Sequence, residues 1–538
     1  MRYLVTGQQA AEIDRYTINE IGVPQLVLME RASLAVAEAV EQLIRNKETE
    51  RILVIAESGN NGGDGVAAAR ILHQRGYRVE LRLLRGISRE TEAYLKQLAL
   101  AEQAGVSFSE GWVGWNESDE WEDAEKMLTE LGSCRVIVDA IFGVGLTREV
   151  GGIQKEAVEA INEARKCSED LVVVSVDIPT GISSESGQVL GCAVRADMTV
   201  TFGYEKIGMR FAKEHCGEVQ VREIGFFLPV GFLDISFGGG RTCYTYDPDD
   251  IKGKLPRRSA EANKGSFGQV LVIAGSRDMS GAAYLAAEAA YRMGSGLVKV
   301  VTHETNRASL QQLLPEAVLL TYPEPVTSEE FGKAFLASLS RASVVILGPG
   351  IGQSGTALWL VEAAMKFATC PVIADADALN LLSQHTEILE ASAGVRPLIL
   401  TPHMMEMARL VEKNPDPGRE AVDRLRENRL QIVEEMSEKY KAAVVLKDAC
   451  TVVAADNIYL NSSGNAAMAK GGSGDVLTGV IAGLIAEGVP WTDAARLGVY
   501  IHGRAGDAAR ERLGDYSVLA RDLIDALPEV LIECSVRS

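Results

Sequence analysis

No stretch of this sequence stays apolar for anything near the ~18 residues that a membrane-spanning helix needs. Its start, MRYLVTGQQAAEIDRY, has no basic segment leading into an apolar one, so it does not read as a secretory signal. Excess positive charge is missing as well. The formal net charge is −20, which argues against DNA, RNA or an acidic membrane as the main partner. The eight cysteines stand apart, at 134, 167, 192, 216, 243, 370, 450 and 534, with no CxxC pair and no short His/Cys spacing. That pattern excludes the common zinc sites, and free thiols in a reducing cytosol account for it. The expected location is the cytoplasm.

What is present is an ordinary soluble composition, 47% hydrophobic and 24% charged, with 52 glycines. So many glycines suit many strand-to-helix loops. At 538 residues the chain exceeds one ordinary core, and two domains are expected.

Residues 9–45 carry two helical patterns around Gly22-Val23-Pro24. The second, from Leu26 to Leu43, is apolar enough to pack on a core or on a partner subunit, so a homo-oligomer is expected. The β-branched run Arg51–Ala56 reads as a central parallel strand. It enters a glycine loop, Glu57–Gly65 (ESGNNGGDG), and then a helix, Val66–Arg75. Strand, glycine loop and helix form the geometry that holds phosphates, although this loop is neither GxGxxG nor a Walker loop. Residues 77–84 read as a strand and 89–104 as a helix. Residues 110–123, with Trp112, Trp115 and Trp121, read as an acidic surface loop. Two more strands end in acids beside glycine loops, at Asp139 in DAIFGVGLTR and at Asp177 in SVDIPTGI. Asn61, Asp64, Asp139 and Asp177 would gather at the carboxyl edge of one parallel sheet, where such folds bind ligands. Each acid alone would suit a turn or helix cap; several together point to a site. Strands at 196–203 and 219–226 follow, and the glycine-rich 229–241 reads as a connector, with a domain boundary near 235.

The second half repeats the alternation. Buried strands within 268–274, 296–302, 344–347, 371–375, 397–400 and 442–446 are separated by helical stretches, and a hairpin turns at Asp456-Asn457. The most informative segment is GNAAMAKGGSGDVLTG, 464–479. Small residues lead into an apolar helix, so backbone N–H groups and a helix N-terminus converge on one spot. That spot suits a phosphoryl group in transfer. Asp475 would repel a phosphate but suits a base that takes a proton from an attacking hydroxyl. The plain alternative is a glycine turn with Asp475 as an ordinary capping acid.

GGSGD with its flanks Asn465, Met468 and Val476–Gly479 resembles the anion hole of the ribokinase-like superfamily, and more narrowly the ADP/ATP-dependent dehydratases of hydrated NAD(P)H. KGSFG, GPGIG, DADALN, TPH and LKDACT fall in the order of that family. SGNNGGDG, DAIFGVGLTR and SVDIPTGI resemble the NAD(P)HX epimerases. The resemblance implies two doubly wound α/β domains, Rossmann-like over 1–235 and ribokinase-like over 236–538. It implies that Asn60, Asn61, Gly62, Gly63 and Asp64, together with Gly143, Val144, Gly145, Leu146, Thr147, Arg148 and Glu149, contact a hydrated NADH or NADPH. Asp177 would contact that substrate and take part in proton transfer. Asn61, Asp139 and Thr180 would surround K+. Lys447, Asp448, Ala449, Cys450 and Thr451 would hold ADP, with ATP as an alternative donor. So would Asn465, Ala466, Ala467, Met468, Ala469, Lys470, Gly471, Gly472, Ser473 and Gly474. Gly352, His403 and Asp475 would face the hydrated nicotinamide, as would an alanine after Gly281. Asp475 would be the base, and Mg2+ would bridge the donor phosphates. One departure stands out: the family's TPHxGE-like segment carries Gly before the Glu, and this chain has Met405. The rival readings are a ribokinase-like kinase of a vitamin-precursor alcohol fused to a nucleotide-binding module, and a non-catalytic N-terminal scaffold.

Overall fold

The computed structural model describes residues 1–84, 90–112, 121–229 and 242–535, without the side chains of 121–126. The chain divides into two compact units, Tyr3–Thr242 and Cys243–Ser538 with Met1–Arg2. The connector expected at 229–241, and the boundary near 235 within it, lie almost wholly outside the described residues.

In the N-terminal unit the strands are β1 (Arg2–Val5), β2 (Arg51–Glu57), β3 (Arg78–Leu84), β4 (Ser107–Glu110), β5 (Val136–Ala140), β6 (Val172–Val176), β7 (Met198–Phe202), β8 (Glu205–Lys206) and β9 (Glu218–Arg222). Seven of them form a parallel sheet in the order β4-β3-β2-β5-β6-β7-β9. β1 pairs with β8 separately. The chain winds outward from β2 and then returns to β5, so the order reverses between these two strands. Such a switch point leaves a crevice at the carboxyl ends. Both central strands are buried throughout their apolar length, as a sheet covered on both faces requires.

The apolar helix Gln25–Glu41 is built into this unit's own core. Leu28, Ala32, Val36 and Val40 pack with Val54 and Ala69. Much of its apolar face is therefore covered within one chain, while Val27 stays exposed. The glycine segment after β2 is also different from expectation. Asn60 already begins a helix, Asn60–Gln74, and the glycines form its first turns rather than a loop. They are needed for close approach. A Cβ on Gly65 would lie 2.3 Å from Ala140 Cβ, and one on Gly62 1.5 Å from the Glu57 carbonyl oxygen. In the segment read as a loop, Trp121–Gly132 is a helix. Trp112 is buried with the Arg82 guanidinium 5.5 Å from its ring, and Trp115 lies outside the described residues.

The C-terminal strands are β10 (Cys243–Thr245), β11 (Gln269–Ile273), β12 (Leu297–His303), β13 (Val318–Tyr322), β14 (Val344–Leu347), β15 (Val372–Ala374), β16 (Leu398–Leu400), β17 (Ala443–Leu446), β18 (Val452–Ala454) and β19 (Ile458–Leu460). Their order is β13-β12-β11-β14-β15-β16-β17-β18-β19-β10. Pairing is parallel from β13 to β17 and antiparallel through the β18–β19 hairpin. Here the order reverses between β11 and β14. The Ser276 amide donates to the Gly350 carbonyl across that switch point at 2.6 Å.

The helix Ser473–Ala486 packs tightly on the helix Ser280–Arg292. A Cβ on Gly479 would meet the Ala286 carbonyl oxygen at 2.4 Å and Ala289 Cβ at 2.6 Å. Both contacts are with backbone or its first carbon, so neither neighbour yields by a rotamer change. Gly479→Val is expected to cost about 3 kcal/mol and to lower the thermal transition of the full chain. Gly281→Ala, whose Cβ meets nothing within 4 Å, is the control that leaves it in place.

Candidate active sites

At the switch point of the N-terminal sheet lies a cavity of about 650 Å³. Its wall includes Asn60, Asn61 and Asp64 from the helix after β2, residues 141–148 after β5, and Asp177 after β6. The expected substrate contacts Asn60, Asn61, Asp64, Gly143–Arg148 and Asp177 are thus brought together. Gly62 and Gly63 are not on the wall; they face Glu57 and Met29 from inside the helix packing, and Glu149 is also off it.

Asp177 occupies left-handed backbone, with φ +64°, unusual for a residue with a side chain. Its Oδ1 accepts from Thr201 Oγ1 (3.2 Å), from the Phe202 amide (3.3 Å) and from Lys206 Nζ. Lys206 is buried and also donates to Thr201 Oγ1 at 2.9 Å. Three donors on one oxygen fix the carboxylate on the cavity wall. Asp64 and Asp14 stand on the same wall. Burial, then the charges of Asp177 and Asp14, hold the Asp64 carboxyl well above the usual range. Burial, then Asp177, raises that of Asp14.

Asp139 lies behind the wall, fully buried. Its Oδ1 accepts from Thr180 Oγ1 (2.6 Å) and the Ile141 amide (3.3 Å), and its Oδ2 from Ser175 Oγ (2.8 Å) and the Thr180 amide (2.9 Å). Burial still raises its pKa against these hydrogen bonds. Asn61 meets the loop after β5 at Gly143, where a Cβ would lie 3.1 Å from Asn61 Oδ1. The other end of that amide is buried with no partner among the described residues.

In the C-terminal unit the segment 465–475 folds back on itself. Asn465 caps its first turn: its Oδ1 accepts from the Ala467 amide (3.0 Å), and its Nδ2 donates to Asp507 Oδ1 (2.8 Å). Ser473 Oγ donates to the Met468 carbonyl at 2.7 Å, and Lys470 Nζ to the Tyr516 carbonyl at 3.2 Å. Gly472 is left-handed, φ +93°, and a Cβ there would lie 2.6 Å from Leu285 Cδ1. The amides of Gly471, Gly472, Gly474 and Asp475 have no acceptor among the described residues. Lys447 Nζ donates to the buried Asp375 Oδ1 at 2.6 Å and would lie 3.2 Å from a Cβ on Gly474. An ammonium and a row of free amides therefore share the first turn of the helix Ser473–Ala486.

Asp475 stands in that same turn. Burial, then the charge of Asp375, pushes its pKa up to about 7, while Lys447 opposes the shift. Burial likewise raises Glu406 to about 7. His403 caps the helix Met404–Glu412. Its Nδ1 accepts from the amides of Met405 (3.1 Å) and Glu406 (3.3 Å), and Glu406 Oε2 accepts from the His403 amide (2.8 Å). Burial, then Lys447, lowers the His403 pKa. Gly352, φ +76°, donates its amide to Asp377 Oδ2 at 2.9 Å. Of the alanines after Gly281, Ala282 is the one beside this loop, 3.0 Å from a Cβ on Gly350. Cys450 and Ala467 are buried. Asp448 lies 3.5 Å from Arg429. No group of three acids, histidines or cysteines among the described residues is arranged to hold a metal by itself.

A family model described as NAD(P)H-hydrate dehydratase matches residues 270–529, and one described as YjeF-related protein N-terminus matches 25–208. A bifunctional NAD(P)H-hydrate repair enzyme of Moorella thermoacetica is 34% identical, over 98% of this chain and 96% of its own. The chain belongs to the bifunctional NAD(P)H-hydrate repair enzymes. The relative of that name from Thermofilum pendens is 35% identical over 96% of this chain and 94% of its own. A solved ADP/ATP-dependent NAD(P)H-hydrate dehydratase from Bacillus subtilis, co-crystallised with ATP and Mg2+, is 30% identical over 54% of this chain and 97% of its own, with a TM-score of 0.45. Membership across both halves sets aside the reading of a kinase with an appended module.

Sequence reasoning for this repair-enzyme chain missed Lys206, Asp14, Asp375 and Glu406 as site residues. Lys206 had a signal: a lone lysine shortly beyond a strand, in the largely apolar run MTVTFGYEKIGM. Lys206→Met would leave Asp177 without its cation, and is expected to destabilise the chain by about 3 kcal/mol. Urea unfolding of the full chain measures this, and Lys206→Met with Asp177→Asn should recover part of the loss.

Proposed function

We propose that this chain repairs hydrated NADH and NADPH in two steps. The N-terminal cavity interconverts the epimers of the hydrate, and the C-terminal site dehydrates one epimer at the expense of ADP. The observation that carries the second step is the convergence of Asp475, the free amides of Gly471, Gly472, Gly474 and Asp475, and the Lys447 ammonium at one helix start.

Hydration of the dihydronicotinamide adds water across an enamine double bond and leaves a hydroxyl on the carbon next to the ring nitrogen. Hydroxide is a poor leaving group. Asp475, ionised, takes the hydroxyl proton as that oxygen attacks the terminal phosphorus of ADP. The bond from that phosphorus to AMP breaks, and AMP leaves. The amides and Lys447 meet the charge on the phosphoryl oxygens. The phosphate ester then parts from the ring carbon, pushed by the nitrogen lone pair. Loss of a proton from the neighbouring carbon restores the double bond, giving NAD(P)H, AMP and phosphate. Bound Mg2+ would neutralise and align the donor phosphates, held chiefly through the nucleotide, since the described residues present no ready cage.

In the N-terminal unit the Asn61 carbonyl oxygen, which faces the loop after β5, and the Thr180 hydroxyl are oxygen donors of the kind a hard monovalent cation takes, with the buried Asp139 balancing its charge through Thr180. Bound K+ would hold oxygens of the hydrated nucleotide in place. Among the described residues no helix is long and apolar enough to cross a membrane. We assign the protein to the cytoplasm on its eight unpaired cysteines.

Adding ADP to hydrated NADPH should restore the absorbance of reduced nicotinamide. Asp475→Asn should lose at least ~100-fold of that rate. No signal from wild type with either ADP or ATP would sink the dehydratase reading. Because the base must be ionised, the rate should rise with pH through about 7 and fall as Asp475 is protonated below it. That limb should be absent from the residual rate of Asp475→Asn.

A further inference from the structure

The N-terminal cavity holds one carboxyl that neither the sequence motifs nor the proposed site uses. Asp14 belongs to the helix Gly7–Asn19, which precedes the matched family segment 25–208. A capping box fixes the start of this helix: the Gln9 amide donates to Thr6 Oγ1 at 3.0 Å, and the Thr6 amide to Gln9 Oε1 at 2.9 Å. Ile13 and Thr17 anchor its other side; the Phe227 amide donates to Thr17 Oγ1 at 3.0 Å. Ala10, Ala11 and Asp14 are then left on the cavity wall, two small side chains beside one acid.

Asp14 and Asp64 have no hydrogen bond or ion pair among the described residues, whereas Asp177 has three donors on one oxygen. Lys206 is committed to Asp177, and the other charged groups on the wall are Glu57 and Arg148. The carboxyls do not form a metal cage. Two free acids beside one ion-paired acid, around a cavity, match the division of labour that acid–base chemistry needs.

We propose that Asp14 is the acid–base partner of Asp64 in the epimerase cavity, one of the two carboxyls on that wall supplying the proton that passes to the departing hydroxyl. This rests on the epimerase reading above. The carbon–oxygen bond breaks with its electron pair going to oxygen, which takes the proton and leaves as water. The ring nitrogen lone pair forms a carbon–nitrogen double bond, and the resulting cation lies against the Asp177 carboxylate. Water adds to the opposite face of that bond, and its proton returns to the carboxyl pair. Nothing is oxidised or reduced, and no co-reactant is consumed. Burial and the neighbouring charge of Asp177, which raise both free carboxyls, favour a retained proton.

The test uses the full chain without ADP, so that dehydration is silent. One purified epimer of hydrated NADH is supplied, and chromatography follows its exchange into the other. Asp14→Asn, which keeps the shape of the side chain, should lower kcat for exchange about 100-fold with KM within twofold. Asp14→Glu should retain part of the rate, and formate should restore exchange to Asp14→Ala. ADP-dependent dehydration of the competent epimer should stay at the wild-type rate in all three. Exchange within twofold of wild type in Asp14→Asn and Asp14→Ala would overturn the role of Asp14 and leave the epimerase reading standing. Loss of exchange through KM alone, with no formate rescue, would mark a positioning residue and also overturn the proposal. A wild type that exchanges no faster than the uncatalysed reaction would overturn the epimerase reading itself.

Discussion

A carboxylate taken out of water must find a cation, collect hydrogen bonds, or keep its proton. Both units depend on how that constraint is met at the carboxyl ends of their strands. Each contains a lysine–aspartate pair there, Lys206 with Asp177 and Lys447 with Asp375. Each has further acids beside that pair that no lysine or arginine holds in an ion pair among the described residues. Asp64 and Asp14 in one unit, and Asp475 and Glu406 in the other, are pushed upward chiefly by burial. The ion pairs fix the paired acids in position. The acids beside them hold a proton more readily than an ordinary carboxyl, Asp475 and Glu406 up to about 7.

Close packing of helices on the sheets makes this arrangement possible. Gly62 and Gly65 let the helix Asn60–Gln74 sit against β2 and β5, which carries Asn61 and Asp64 to the cavity. Gly479 and Gly483 do the same where Ser473–Ala486 meets Ser280–Arg292. Side chains at these positions would move the helix starts, and with them the unpartnered amides at Gly471, Gly472, Gly474 and Asp475. Glycine at these contacts therefore serves the chemistry through geometry, at a distance from any reacting atom.

Much of the architecture was legible without coordinates. β-branched runs bounded by glycine marked β2, β5, β6, β11, β14 and β17, and the turn at Asp456-Asn457 marked the β18–β19 hairpin, because these are local patterns of period and turn chemistry. The exceptions have physical causes. Asn60–Gly65 reads as a loop by glycine content, yet it is helical because packing against Glu57 and Ala140 repays the low propensity of glycine. The apolar helix Gln25–Glu41 reads equally well as an interface or a core element, since periodicity reveals an apolar face but not what covers it.

The sequence by itself determined the alternation of strands and helices, the ends of strands at which acids fall, and the family to which the motifs point. These rest on neighbours in the chain, whose spacing is fixed by backbone geometry. Only the tertiary structure decided which charges meet. Asp14 and Asp64 come from separate helices, Lys206 reaches Asp177 across 29 residues, and Lys447 reaches Asp375 across 72. A side chain's protonation and reach depend on burial and on partners brought in from remote segments. No local pattern encodes that encounter, because it arises only when the sheet order and the helix packing are complete.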